Sequence, residues 1–194
     1  MKFSLLAVAL SALATASPVP EAEQNDKRIL GLFKPKPSVP FTFTSTWEVN
    51  ATPDQVVNPQ NVFTGGLAGS KGLFKFGINS QEDIICYNIT LFGFRGEFQS
   101  PAKTATHIHQ GLKGKTGPPR IAFPNPVGDE KLRSSIGCMK GPFTTGVIVD
   151  GKDTGAGFTL KQIEDNPTMF NADSHSSLAV PGAFRGQFTK ARCS

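Results

Sequence analysis

The sequence predicts an all-β fold, an antiparallel sandwich or barrel, on three observations. Short segments of alternating apolar and polar residues recur along the chain. Glycine and proline, 20 and 15 in number, punctuate nearly every interval between those segments. A helical signature appears in residues 159–165 alone. Many short strands at such spacing indicate a sandwich or barrel.

The strands are expected in this order. Phe41 to Trp47 opens with apolar–polar alternation and is rich in β-formers. Leu73 to Ile78 puts Phe74, Phe76 and Ile78 on one face. Ile84 to Phe92 sets Ile85, Tyr87, Ile89 and Leu91 against Cys86, Asn88 and Thr90. Ala105–His109, Arg120–Phe123, Gly146–Val149, Thr168–Asp173 and Ala183–Phe188 complete the set. Residues 159–165 begin with Thr159-x-x-Gln162, a capping-box pattern, and stop before Asn166-Pro167, so one short helix is expected there. Phe94-Arg95-Gly96-Glu97-Phe98 echoes Phe184-Arg185-Gly186-Gln187-Phe188, which reads as two strands under similar turn constraints rather than a duplication.

Ahead of this body lie three expected segments. Residues 1–16 carry Lys2, an apolar run and Ala14-Thr15-Ala16, the form of a secretory signal peptide. Residues 17–28 are polar and close on Lys27-Arg28, as a propeptide does, and 29–40 form a Pro-rich linker. The β domain then spans 41–194. No later segment approaches the ~18 to 20 apolar residues of a membrane span. Removing 1–28 leaves the net charge at +5, which suits an anionic surface and is too mild for a nucleic-acid partner.

Export agrees with two glycosylation acceptors, Asn50-Ala51-Thr52 and Asn88-Ile89-Thr90, the second favoured because Pro53 follows the first. Three cysteines allow three pairings. Cys86 with Cys138 is the pairing expected, because Cys193 is the penultimate residue and Cys86 lies inside a strand.

The chain has three histidines. In a strand His107 and His109 point the same way with Cβ atoms roughly 7 Å apart, close enough to share one metal ion. His175 follows Asp173 by two residues, so that carboxylate is expected to orient an imidazole. Three imidazoles suit copper or zinc. The competing reading has exposed or half-buried histidines bonding loop carbonyls, with Gly111, Gly114 and Gly117 serving positive-φ turns. Lys113, Lys115 and Arg120 decorate the same loop, where they would draw an anion.

"ATHIHQGLKGKTGPPRIAF" and, far downstream, "FNADSHSSLAVPGAFRGQF" resemble the CHRD (chordin-type) domain in the secreted form common in filamentous fungi. The matching residues are His107, His109, Gly111, Gly114, Gly117, Pro118, Asp173, His175, Pro181, Gly182, Arg185, Gly186 and Gln187, with Ser176 standing where threonine is usual. The resemblance implies an extracellular all-β domain and assigns no activity. In outline the fold would be immunoglobulin-like or similar to Cu/Zn superoxide dismutase, whose copper site includes a His-x-His strand. The fourth copper histidine and the histidine-rich zinc loop have no counterpart here, so dismutation is not expected.

No nucleophile elbow, His-Glu-x-x-His or phosphate loop is present, so no catalytic residue is assigned. The reading is a secreted binding or surface protein rather than an enzyme. It would act at the cell wall or host interface, effector-like, on an anionic polysaccharide or a host protein. A mononuclear copper or zinc protein, redox-active or metal-scavenging, is the alternative.

Overall fold

The structure, a computed structural model, describes residues 42–189. The expected leader, propeptide and linker, and Cys193, lie outside the described residues. The elements are β1 (Ser45–Ala51), β2 (Lys71–Asn79), β3 (Ile84–Phe92), β4 (Thr106–Gln110), β5 (Pro119–Phe123), β6 (Val127–Gly128), β7 (Leu132–Lys140), β8 (Ile148–Val149), β9 (Lys152–Asp153), α1 (Lys161–Asp165), β10 (Phe170–Ser176) and β11 (Ala179–Gln187). A five-stranded sheet runs β1-β2-β3-β7-β6 and a four-stranded sheet runs β11-β10-β4-β5, all antiparallel. The domain is an all-β sandwich with one short helix, as expected.

Between the sheets lies an aromatic core. Phe76 stacks on Phe123 and Phe188, and Phe74 and Phe94 meet Phe184 edge-on. Phe74, Phe76, Phe123 and Phe184 point inward from their strands, so the same period-2 pattern that makes the strands also builds much of the core. Each buried ring contributes about 2–3 kcal/mol of apolar transfer.

Several boundaries differ from expectation. The first strand starts at Ser45 and buries Trp47, Val49 and Ala51, while Phe43 lies over the bare backbone of Gly77. The helix starts at Lys161 without a capping box. Leu160 occupies the N-cap and donates its N–H to Asp83 Oδ1, so a distant turn supplies the cap that Thr159 was expected to give. Residues 168–169 belong to a 3₁₀ turn, Pro167–Met169, and the following strand begins at Phe170. Phe94–Phe98 is a loop rather than a strand, joined to β10 by the bridge Phe98–Ser176 and by Ser176 Oγ donating to Arg95 O.

β7 carries its apolar residues on the wrong side for a sequence reader. Leu132 and Ile136 are exposed, and the inward positions are Arg133, Ser135, Gly137 and Met139. Gly137 leaves room for the Tyr87 ring, and Arg133 stacks on Phe94 and Phe98. Cys86 and Cys138 face each other across β3 and β7 and form the expected disulfide. It sits on the outer face of the sheet, not in the core.

Candidate metal centre

β4 and β10 are neighbours in register, with His107 opposite Asp173 and His109 opposite Asn171. Ile108 and Ala172 point into the core, so period-2 alternation sends His107, His109 and Asp173 to the other face. His175 lies two residues beyond Asp173, and its N–H donates to Ala105 O. All four side chains are buried, the histidines more deeply than expected, with relative exposures of 1%, 8%, 9% and 0% for His107, His109, His175 and Asp173.

Each imidazole uses one nitrogen on a backbone carbonyl. His107 Nε2 donates to Thr104 O at 2.6 Å, His109 Nδ1 to Gly117 O at 2.8 Å and His175 Nδ1 to Val180 O at 2.9 Å. A carbonyl only accepts, so these nitrogens carry the protons and the tautomers follow from their partners. In the neutral rings the lone pairs then lie at His107 Nδ1, His109 Nε2 and His175 Nε2. Those three atoms surround Asp173 Oδ1 at 3.8, 3.2 and 3.4 Å. None of the four has a hydrogen-bond partner.

Asp173 thus does not orient one imidazole, as expected, but faces all three. Its other oxygen, Oδ2, accepts from Arg185 Nε at 3.1 Å and Nη2 at 2.8 Å. Arg185 is its register partner on β11. Burial favours the neutral acid, yet the His109, His175 and Arg185 charges outweigh it and hold the Asp173 carboxyl well below its ordinary value. Burial, aided by His109, lowers His107 to about 3. For His175 burial also opposes charge, but Asp173 overrides it and the pKa is raised.

With the three imidazoles neutral, four buried electron-pair donors converge; a proton on His175 Nε2, which Asp173 favours, would bridge that nitrogen to Asp173 Oδ1. One proton satisfies two of them at most; a metal ion satisfies four. All four ligand atoms lie within 4.8 Å of one another. Tetrahedral donors at ~2.0–2.1 Å from a metal are ~3.3 Å apart, so two of the Asp173 distances already match that spacing. Three imidazoles and one carboxylate suit zinc or copper(II).

The glycine loop supports this centre differently from expectation. Gly114 has the positive φ, +73°, whereas Gly111 and Gly117 serve close backbone approach. A Cβ at Gly117 would collide with the Gln110 carbonyl. Asn171 and Gln187 both donate to Gly111 O, fixing the loop to β10 and β11. Lys113 and Lys115 are exposed, but Arg120 is engaged by Gln110 Oε1 and the Thr154 carbonyl and does not stand free beside the histidines. Sequence reading gave Arg185 no role; the one charged residue inside the expected Ala183–Phe188 strand was the available signal.

The CHRD domain family model matches residues 47–188, a span that holds every residue of the centre. No curated protein and no solved structure matches the chain. The chain belongs to the CHRD-domain family.

Proposed function

We propose that this CHRD-domain protein holds a single zinc or copper ion through His107, His109, His175 and Asp173. The observation that carries the reading is the convergence of four buried polar atoms, each without a partner. Leaving such atoms unsatisfied costs about 1–3 kcal/mol apiece, more for a charged one, and a bound cation removes that cost. Each imidazole already has its far nitrogen fixed on a carbonyl, which presets both tautomer and ring orientation for a metal.

Four protein ligands make a closed site, as in metal holding, rather than the three-ligand open site of hydrolytic zinc enzymes. Sequestration therefore fits better than turnover. The leader and the two sequons support export, which would put this metal-holding domain outside the cell, at the cell wall or the host interface. Exposed Lys113 and Lys115, on the loop that meets His109 through Gly117 O, suit an anionic polysaccharide or an acidic host protein there.

The test is metal analysis of protein purified without a histidine tag, followed by zinc and copper titration. One equivalent per chain is expected, with His107→Ala, His109→Ala and His175→Ala each losing most of it. Equal metal uptake by wild type and His175→Ala would sink the proposal and leave the histidines as braces for loop carbonyls.

A further inference from the structure

The outer face of the five-stranded sheet carries an apolar groove among polar residues, with Thr46, Glu48, Lys75 and Asn88 along its rim. Around the Cys86–Cys138 disulfide lie Ile136, 72% exposed, and Phe43, 45% exposed. Gly77 adds no side chain, and the resulting groove has a volume of ≈ 470 Å³. A half-exposed ring and an exposed isoleucine beside a disulfide offer apolar surface that a neighbouring group can cover. Asn88 lines the groove as well: it is exposed at mid-strand on β3, flanked across the ladder by Lys75 on β2 and Ile136 on β7. It is also the first residue of Asn88-Ile89-Thr90, an acceptor for N-linked sugar.

We propose that this groove is the seat of an N-glycan carried by Asn88, whose first N-acetylglucosamine covers Phe43, Ile136 and the disulfide. The proposal rests on the export reading above. In the transfer the Asn88 carboxamide nitrogen attacks the anomeric carbon of a lipid-linked oligosaccharide pyrophosphate. The new C1–Nδ2 bond replaces the C1–O bond, the lipid pyrophosphate leaves with the electron pair, and the nitrogen gives up a proton to the transferase base.

The seat fits a sugar because a pyranose presents axial C–H groups on its flat face. Those pack on an aromatic ring and on sulfur, while its hydroxyls and acetamide stay in water. The covalent link confines the first sugar to the groove, so no intrinsic affinity of its own is required. Asn50, also exposed, lies in a more polar setting, where Glu48, Gln55, Lys113, Thr168 and Gln187 surround Leu112 and no disulfide is at hand.

The experiment secretes the full chain, with its own leader, from a eukaryotic host and maps the Asn88 peptide by mass. Melting is then compared for the intact glycoprotein, for protein trimmed to the first sugar and for protein stripped by an amidase, which leaves a carboxylate at position 88 opposite Lys75, with sugar-free Asn88→Asp as its reference. The Asn88 peptide is expected to carry hexosamine. Full stripping is expected to lower the melting temperature by about 2–4 °C, trimming to one sugar by much less. In a Phe43→Ala background stripping should change little. Exported protein with Asn88 unmodified overturns the site, and an equal stripping effect with and without Phe43 overturns the seat. A chain retained in the cell counts against export instead. Asn88 occupancy is then read after replacing residues 1–16 with a proven leader, and an unmodified Asn88 in that exported protein overturns the site as before.

Discussion

Replacing Asp173 by asparagine keeps the shape and removes the charge. In the metal-free protein this leaves the Arg185 guanidinium, 5% exposed, without its counter-ion. Breaking a buried ion pair from one side costs about 3–5 kcal/mol. Asparagine retains one oxygen that can accept from Arg185 Nη2, which puts the loss near the low end, about 3 kcal/mol. For a domain of this size that is about 6–12 °C of melting temperature. Metal adds a second effect. At zinc 100-fold above its dissociation constant the wild type gains about 2.7 kcal/mol by mass action, and a variant lacking one of four ligands gains little. The gap between the two proteins should therefore widen from about 3 kcal/mol in chelator to about 5–6 in zinc. Urea unfolding in both media, with metal-to-protein ratios measured alongside, reads it directly. A gap that stays the same in zinc would mean that Asp173 serves Arg185 alone. A loss below about 1 kcal/mol in chelator would refute the buried-pair reasoning itself.

In chelator, stability should peak near pH 6.5. Below that value the unfolded chain takes up a proton that His107, lowered to about 3, refuses, so stability falls on acidification by up to ~1.4 kcal/mol per pH unit. Asp173, held below its ordinary 3.8, adds a further loss beneath that pH. His175 acts with opposite sign: its raised pKa stabilises fully below 6.5 and the gain is lost as pH rises through the raised value. A chelated protein whose urea midpoint climbs steadily through pH 8 would contradict this. Bound metal displaces the His175 proton and should move the peak upward. Gly117→Ala, whose Cβ meets the Gln110 carbonyl, should cost at least about 2 kcal/mol and weaken metal binding by displacing the partner of His109. Gly114→Ala, strained only by its φ of +73°, should cost about 1 kcal/mol; similar losses in the two melts would show the loop to be adaptable. Replacing Cys86 and Cys138 by serine opens a loop of sequence separation 52 and should cost about 4 kcal/mol without changing metal stoichiometry.

What sequence reading could recover of the fold depended on which face each strand buries. β3 buries one clean alternation, and Ile84–Phe92 was bounded correctly from it, whereas β2 alternates only as far as Phe76 and is buried on both sides beyond it. β7 was missed because its exposed positions hold Leu132 and Ile136 while its inward ones hold Arg133, Ser135 and Gly137. Its inward side is completed by Tyr87 reaching over from β3, and a residue's neighbour in space has no trace in its own segment. The cysteine pairing came out right for an incomplete reason. Membership of a strand placed Cys86 opposite Cys138, but on the outward side, so burial was not what selected the pair. The helix cap failed similarly: Thr159 has the right spacing, yet Asp83, 77 residues away, holds the first free N–H.

The histidines were legible as a group and illegible as a geometry. Period 2 put His107 and His109 together, and two-residue spacing added Asp173 to His175, but nothing in the sequence says that β4 and β10 are neighbours in this register. That register turns Asp173 from a companion of one imidazole into the point on which three converge. It also makes the proposed metal site compatible with a set of braces for loop carbonyls. A histidine has two ring nitrogens, and each of these gives one to a carbonyl and the other to the centre. The carbonyl bonds are the same bonds that a metal ligand needs to fix its tautomer. In the proposed metal site, loop geometry and metal affinity would therefore be coupled through Thr104, Gly117 and Val180. Filling the centre should protect the amides of the 111–118 loop from hydrogen exchange, although no residue of that loop is a ligand. Protection confined to β4 and β10 on zinc addition would show the coupling to be absent.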